Sequence, residues 1–235
     1  MHLQAPAGVA LAQINPGQFI QIKVNNSAST FLRRPISIHD VDTIDNTLSI
    51  LVCRAGEGTN AICDTPVGNH INIMWPLGNS FVIPDDSSKS TLLVGGGVGV
   101  APLLYLGKKL KDQGFTPAFL LAARSANDLL QLDQFAKYGS VHISTDDGSA
   151  GQKGLITQNS ILDNHFDHVY CCGPMPMMKA LAHICSDRNI DCQVSLENVM
   201  ACGIGACLCC VEKTVKGHRC VCTDGPVFNI NQLTW

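Results

Sequence analysis

Apolar and polar residues change their rhythm twice along the 235-residue chain. Over the first 85 or so positions the apolar runs are short and separated by turn residues. Residues 18–24 (QFIQIKV) alternate after an Asn15-Pro16-Gly17 turn, and residues 36–41, 48–53 and 71–75 read similarly. A period of two bounded by Gly, Pro and Asn marks half-buried strands. This portion therefore predicts a small antiparallel β-barrel.

From Ser90 the runs become continuously apolar. Residues 91–94 (TLLV), 119–123, 141–144 and 168–172 read as strands, while 103–111, 127–137 and 177–188 carry helical patterns. Strands alternating with helices imply an α/β domain with a parallel sheet, its ligand at the C-terminal strand edge. Residues 90–107 are uncharged and long enough to raise the question of a membrane span. Five glycines and Pro102 within them favour strand, loop and helix instead. The first dozen residues show neither a basic stretch nor a cleavage motif, so no signal peptide is expected.

In the last part, residues 200–227, cysteine replaces hydropathy as the main signal. Six of the chain's twelve cysteines lie between Cys202 and Cys222. Cys202, Cys207, Cys210 and Cys222 follow a C-x4-C-x2-C arrangement with a distant fourth member, the plant-type spacing for a [2Fe–2S] cluster. Iron bridged by sulfide is soft and selects thiolates, and Gly203 and Gly205 let the loop bring backbone amides to the sulfurs. A structural zinc site competes, although only Cys207 and Cys210 form the short knuckle zinc prefers. On spacing alone Cys209 and Cys220 stay open as alternative ligands. A disulfide framework is disfavoured by the chain's size, and cysteine without a secretion signal points to a reducing cytoplasm. With 46% hydrophobic residues, a net charge of −3 and no basic run, nothing suggests a nucleic-acid partner. The three rhythms divide the chain at 1–86, 87–195 and 196–235.

Two stretches look suited to phosphate. Arg33-Arg34 precede Pro35-Ile36-Ser37, and a glycine-rich turn follows at 54–59; an arginine fork with exposed amides suits a pyrophosphate. GGGVGVAP at 95–102 joins a strand to a helix, where unpaired amides and the helix dipole favour an anion. The loop departs from G-x-G-x-x-G because Val100 takes the third glycine position, and no acidic residue follows at the ribose distance. Cys172, before Gly173-Pro174, reads either as packing or as function.

RRPISI with GEGT, then GGGxGxxP, then CGP resemble the ferredoxin–NADP reductase superfamily. The resemblance implies that Arg34, Pro35, Ile36, Ser37, Leu51, Val52, Cys53, Gly58 and Thr59 hold FAD. It implies that Gly95, Gly96, Gly97, Gly99 and Pro102 bind NAD, with Cys172 beside the nicotinamide and the flavin. Members usually open with a further strand, so the barrel is expected to lack one here. The order of all the blocks, ending in MACGIGACLCC and VCTDGPVF, resembles the electron transfer subunits of dihydroorotate dehydrogenase B. That family places the third cluster ligand at Cys210 and the fourth at Cys222 rather than Cys220, with Cys209 at a small-residue position. It implies electron flow from an FMN-containing dihydroorotate dehydrogenase catalytic subunit through the [2Fe–2S] cluster and FAD to NAD+, in pyrimidine biosynthesis. The assembly implied is a heterotetramer of two plus two. Other readings are a reductase subunit of a glutamate-synthase-like or hydrogenase complex, and a zinc-bearing regulatory flavoprotein.

Overall fold

The computed structural model describes residues 1–235 except Ala12, Asn26 and Ala28. The first portion is a curled antiparallel sheet of β1 (His2–Gln4), β2 (Phe19–Ile22), β3 (Arg34–Asp42), β4 (Thr47–Ile50) and β5 (Ile73–Leu77), in the order β1-β4-β3-β2-β5. Alternation decides its faces: Ile20 and Ile22 of β2 meet Ile38, Leu48 and Ile50 inside the curl. Phe19 instead packs into the core shared with the rest of the chain. The first strand was not anticipated; His2, Leu3 and Gln4 pair with Ser49, Leu48 and Thr47. Among the described residues the edge strands β1 and β5 are not hydrogen-bonded to each other.

The turn expected over 54–59 is in fact the entry to a helix, α1 (Glu57–Cys63). Thr59 Oγ1 accepts from the amides of Ala55 at 3.0 Å and Gly56 at 3.1 Å. That capping satisfies amides a helix start leaves unpaired, and Ile62 anchors the helix in the core of the curl.

A seven-stranded sheet follows, in the order β14-β11-β10-β6-β7-β8-β9. Its parallel strands are β6 (Thr91–Gly96), β7 (Ala118–Ala123), β8 (Ser140–Thr145), β9 (Gln152–Lys153), β10 (His168–Cys172) and β11 (Asp191–Ser195). On one face lies α2 (Ala101–Asp112), burying Leu103, Leu106 and Leu110. Tyr105, on the same helix, joins the core of the curled sheet, and Lys108 pairs with Asp40 at 3.0 Å, so α2 serves both sheets. On the other face α4 (Met175–Asp187) buries Met178, Leu181 and Cys185. The helix expected over 127–137 shrinks to α3 (Leu132–Phe135). Gln131 adopts a left-handed backbone, φ 53°, immediately before it, and this ends any longer helix.

The cysteine-rich segment adds a hairpin, β12 (Val211–Thr214) with β13 (Gly217–Cys220), then α5 (Val221–Asp224). It closes with β14 (Val227–Asn229), which pairs antiparallel with β11. Asn79, just past β5, donates to the carbonyls of Asp224 at 2.9 Å and Val227 at 3.0 Å and accepts from the Val227 amide. The segment is thus fastened to both sheets. Among the described residues no helix is long and apolar enough to cross a membrane.

Candidate functional site

A cleft of about 250 Å³ opens where the three portions meet. Pro35, Ile36 and Ser37 of β3 line one wall with Leu51, Cys53 and Thr59. Val98 and Ala101, from the glycine loop and the start of α2, form a second wall. Glu197, Met200 and Pro226 bring in the cysteine-rich segment. Val52 faces the core of the curled sheet rather than the cleft.

Next to the cleft lies a hollow of about 350 Å³ lined by Arg34, Gly58 and their neighbours. Gly58 is needed for contact, since a Cβ there would stand 2.8 Å from Arg34 Nε. The Arg34 fork is steadied by donation to the carbonyls of Leu32 at 3.1 Å and Arg33 at 3.3 Å. Arg33 belongs to the sheet instead: it donates to Gln21 O at 3.3 Å and to Asn72 Oδ1 at 2.6 Å. Arg54 is engaged by Asp64 at 2.7 Å. Glu57 also borders the hollow, its carboxylate taking the hydroxyls of Ser29 and Ser27, which hold its pKa below the ordinary value. An anion in the hollow would therefore meet both Arg34 and Glu57.

The glycine loop and β10 are pressed together. Gly95 and Gly96 end β6, Gly97 turns the chain with φ 56°, and Pro102 sits in the first turn of α2. A Cβ on Gly99 would lie 2.6 Å from the Cys172 carbonyl oxygen. Cys172 is the buried last residue of β10, its Sγ 3.7 Å from Glu197 Oε1. Burial, and then the nearby Glu197, push the Cys172 thiol well above its ordinary pKa. Desolvation likewise raises the Glu197 carboxyl, although that side chain opens onto the cleft. Sequence reasoning passed over Glu197. Its one signal is its place, an acid two residues past a buried strand at the ligand-bearing edge of the sheet.

Three left-handed residues, Gly203 (φ 74°), Gly205 (φ 78°) and Leu208 (φ 57°), wind the cysteine loop tightly. Amides consequently point at sulfur: Ile204 N to Cys202 Sγ at 3.4 Å, Gly205 N to Cys222 Sγ at 3.2 Å, and Cys222 N to Cys210 Sγ at 3.4 Å. The Ile204 amide leads in lowering the Cys202 pKa to about 6, helped by Cys207; burial and then Cys210 push Cys222 up to about 12. Cys202 with Cys207, and Cys210 with Cys222, form two neighbouring pairs. Among the described residues no three metal-binding side chains converge on a single point. Two thiol pairs with amides on their sulfurs fit a two-iron cluster, whose sulfurs need such donors. Cys209 is exposed and turns to the Val199 carbonyl at 3.6 Å. Cys220 is half-buried and feels the charges of Cys210, Cys202 and Cys207, so proximity alone does not set it apart.

Comparisons with known proteins agree along the chain. A family profile described as the iron-sulfur cluster binding domain of dihydroorotate dehydrogenase B matches residues 197–234. One described as an oxidoreductase NAD-binding domain matches residues 93–183. The chain is 40% identical over 224 residues to the dihydroorotate dehydrogenase B (NAD(+)) electron transfer subunit of Fusobacterium nucleatum, covering 91% of this chain and 84% of that one. Identity is 42% over 221 residues with the same-named subunit of Caldanaerobacter subterraneus, covering 91% and 85%. Among solved structures, the NADH-dependent reduced ferredoxin-NADP oxidoreductase superposes with a TM-score of 0.84 at 30% identity, covering 95% of this chain and 80% of that one. The FAD/NAD binding domain of nitric oxide dioxygenase from Vibrio cholerae shares the fold, with a TM-score of 0.69 at 20% identity and coverages of 82% and 90%.

Proposed function

The chain belongs to the family of dihydroorotate dehydrogenase B electron transfer subunits, and from that premise we propose how its parts divide the work. It carries electrons from an FMN-bearing dihydroorotate dehydrogenase catalytic subunit to NAD+, within pyrimidine biosynthesis. The [2Fe–2S] cluster supplies single-electron exchange, NAD exchanges electrons in pairs, and FAD links the two regimes.

Residues 1–86 hold the flavin: Pro35, Ile36, Ser37, Leu51 and Cys53 shape the wall for its ring system, and Arg34 with Gly58 faces its diphosphate. Residues 87–195 hold NAD at the loop of Gly95, Gly96, Gly97, Gly99 and Pro102; Glu197, from the segment that follows, lines the cleft where nicotinamide and flavin meet, and Cys172 lies buried behind it. Residues 196–235 hold the cluster through Cys202, Cys207, Cys210 and Cys222. The supporting observation is the cleft itself, whose walls come from all three portions at once.

Val199, Ile204 and Leu208 expose 79%, 55% and 64% of their surface around the cysteine loop. Apolar side chains beside a one-electron centre suit a partner that must approach closely, so we place the catalytic subunit there. The complex belongs in the cytoplasm, where thiols stay reduced. The test is co-purification with the FMN subunit of the same organism. A stable complex is expected, with the isolated chain reducing dyes from NADH but leaving dihydroorotate untouched. Oxidation of dihydroorotate by the isolated chain, or no association with the FMN subunit, would overturn the assignment.

A further inference from the structure

Gln21 lies in the middle of β2, is 0% exposed, and neither its Nε2 nor its Oε1 has a hydrogen-bond partner among the described residues. Burying an unpaired amide forfeits its hydration with no bond in return, and a leucine would fill such a position without that cost. The side chain's direction suggests what offsets it. Strand alternation sends Ile20 and Ile22 into the curled sheet, whereas Phe19 and Gln21 leave by the opposite face. Phe19 borders the cleft and Gln21 does not, so its amide faces something other than the flavin wall. That neighbour is the cysteine loop. A Cβ on Gly203 would stand 2.7 Å from Gln21 Cγ and 3.0 Å from Nε2. Gly203 directly follows Cys202, so a buried donor from the flavin-bearing sheet is pressed against the loop that carries the thiolates.

We propose that Gln21 is a positioning residue for the cluster: its Nε2–H donates to the sulfur-rich anion held by Cys202, Cys207, Cys210 and Cys222. The donation raises the cluster's reduction potential. Reduction adds negative charge to the cluster, so a hydrogen-bond donor stabilises the reduced form more than the oxidised one. Because β2 also carries Phe19 at the cleft, the same strand registers the cluster loop against the flavin site. The packing of Gly203 follows as well, since any side chain there would displace the amide. This inference rests on the cluster assignment above.

The test uses the holo-complex with its FMN subunit and a redox titration read by electron paramagnetic resonance. In Gln21→Leu the cluster should be retained, with the reduction equilibrium shifted about tenfold toward the oxidised form, a fall of about 59 mV for one electron. Gln21→Met, which keeps the length but has no donor, should fall by the same amount and serves if the leucine variant does not fold. Beyond the exchangeable-proton couplings of the Ile204, Gly205 and Cys222 amides, the reduced parent cluster should show one further coupling, from the Gln21 amide, that both variants lose. Variants that keep the cluster, its potential and that coupling overturn the proposal, as they would if a buried water satisfied Gln21. A parent protein with no [2Fe–2S] spectrum would instead sink the cluster assignment beneath it.

Discussion

Replacing Gly99 with alanine tests whether the glycine loop owes its sequence to packing or to backbone freedom. Gly99 is not in the left-handed region, so no strain attends the substitution itself. The added Cβ would stand 2.6 Å from both the Cys172 carbonyl oxygen and Gly173 Cα, and 2.7 Å from the Cys172 carbonyl carbon. Ordinary contact begins at 3.4 Å, so the loop and the end of β10 must part by 3.4 − 2.6 = 0.8 Å. All three atoms are backbone and cannot rotate aside. Overpacking of this kind costs about 1–3 kcal/mol, and at roughly 2–4 °C per kcal/mol for a chain of this size Tm should fall by roughly 2–12 °C. The same displacement moves Val98, which lines the cleft, relative to the end of β10, whose Cys172 contacts the cleft residue Glu197. A misplacement of about 1 Å can slow a reaction by about a hundredfold, so reduction of the bound flavin by NADH should slow more than NADH binding weakens. Thermal unfolding and rapid-mixing kinetics read the two effects. Gly56→Ala is the control for Tm alone, because its Cβ would meet nothing within 4 Å but it borders the hollow beside Arg34. If Gly99→Ala matches that control in Tm and the parent in rate, close packing is not what the loop is for.

Further outcomes follow from the same geometry. Serine at Cys202, Cys207, Cys210 or Cys222 should abolish the cluster while Cys209→Ser and Cys220→Ser retain it, read as iron and acid-labile sulfide per chain. Cys220→Ser is the sharper case because Cys220 lies close to the set. Arg34→Ala should weaken FAD retention by about tenfold to a hundredfold, the equivalent of about 1.5–3 kcal/mol for a charge-assisted hydrogen bond, measured by flavin release on dilution. Asp167 accepts from the Ser90 amide and hydroxyl, each at 2.8 Å, and these bonds together with Lys89 depress its pKa below the usual carboxylate value. A depressed folded-state pKa gives stability that is complete above the unfolded value near 3.8 and is lost as pH falls below it. Asp167→Asn should therefore unfold more readily at neutral pH and show a shallower loss of stability on acidification, read by denaturant melts across pH.

Much of this was legible because burial and chemistry wrote it locally. The apolar runs that became β6, β7 and β10 are largely buried on both faces, so they needed no partner to be recognised. The cysteine spacing likewise carries its own geometry. What escaped depends on distant residues. Asp191–Ser195 reads as a mixed DCQVS and becomes β11 only by pairing with β10. Val227–Asn229 is too short to be a strand without β11 beside it. The two glycines at 56 and 58 read as a turn because the cap from Thr59 and the anchor at Ile62 act through side chains, whereas propensity counts only the glycines. The overlong helix at 127–137 failed at one dihedral, that of Gln131. Glu197 and Gln21 belong to no motif, and their surroundings exist only once the three portions meet.

The pairing of β14 with β11 also bears on how the protein resists self-association. Unpaired strand edges are templates for other chains. The large sheet ends on one side in β9, only two residues long, and on the other in β14, three residues long. Behind β14 lies β11, whose Cys192 and Val194 are wholly buried. The whole cysteine loop is spliced between these two neighbouring strands, so the stretch that would bind iron also determines whether the protective strand stays seated. Should that loop come apart when iron is lost, β14 would fray and uncover the backbone of Gln193, Val194 and Ser195 on β11, the edge it covers.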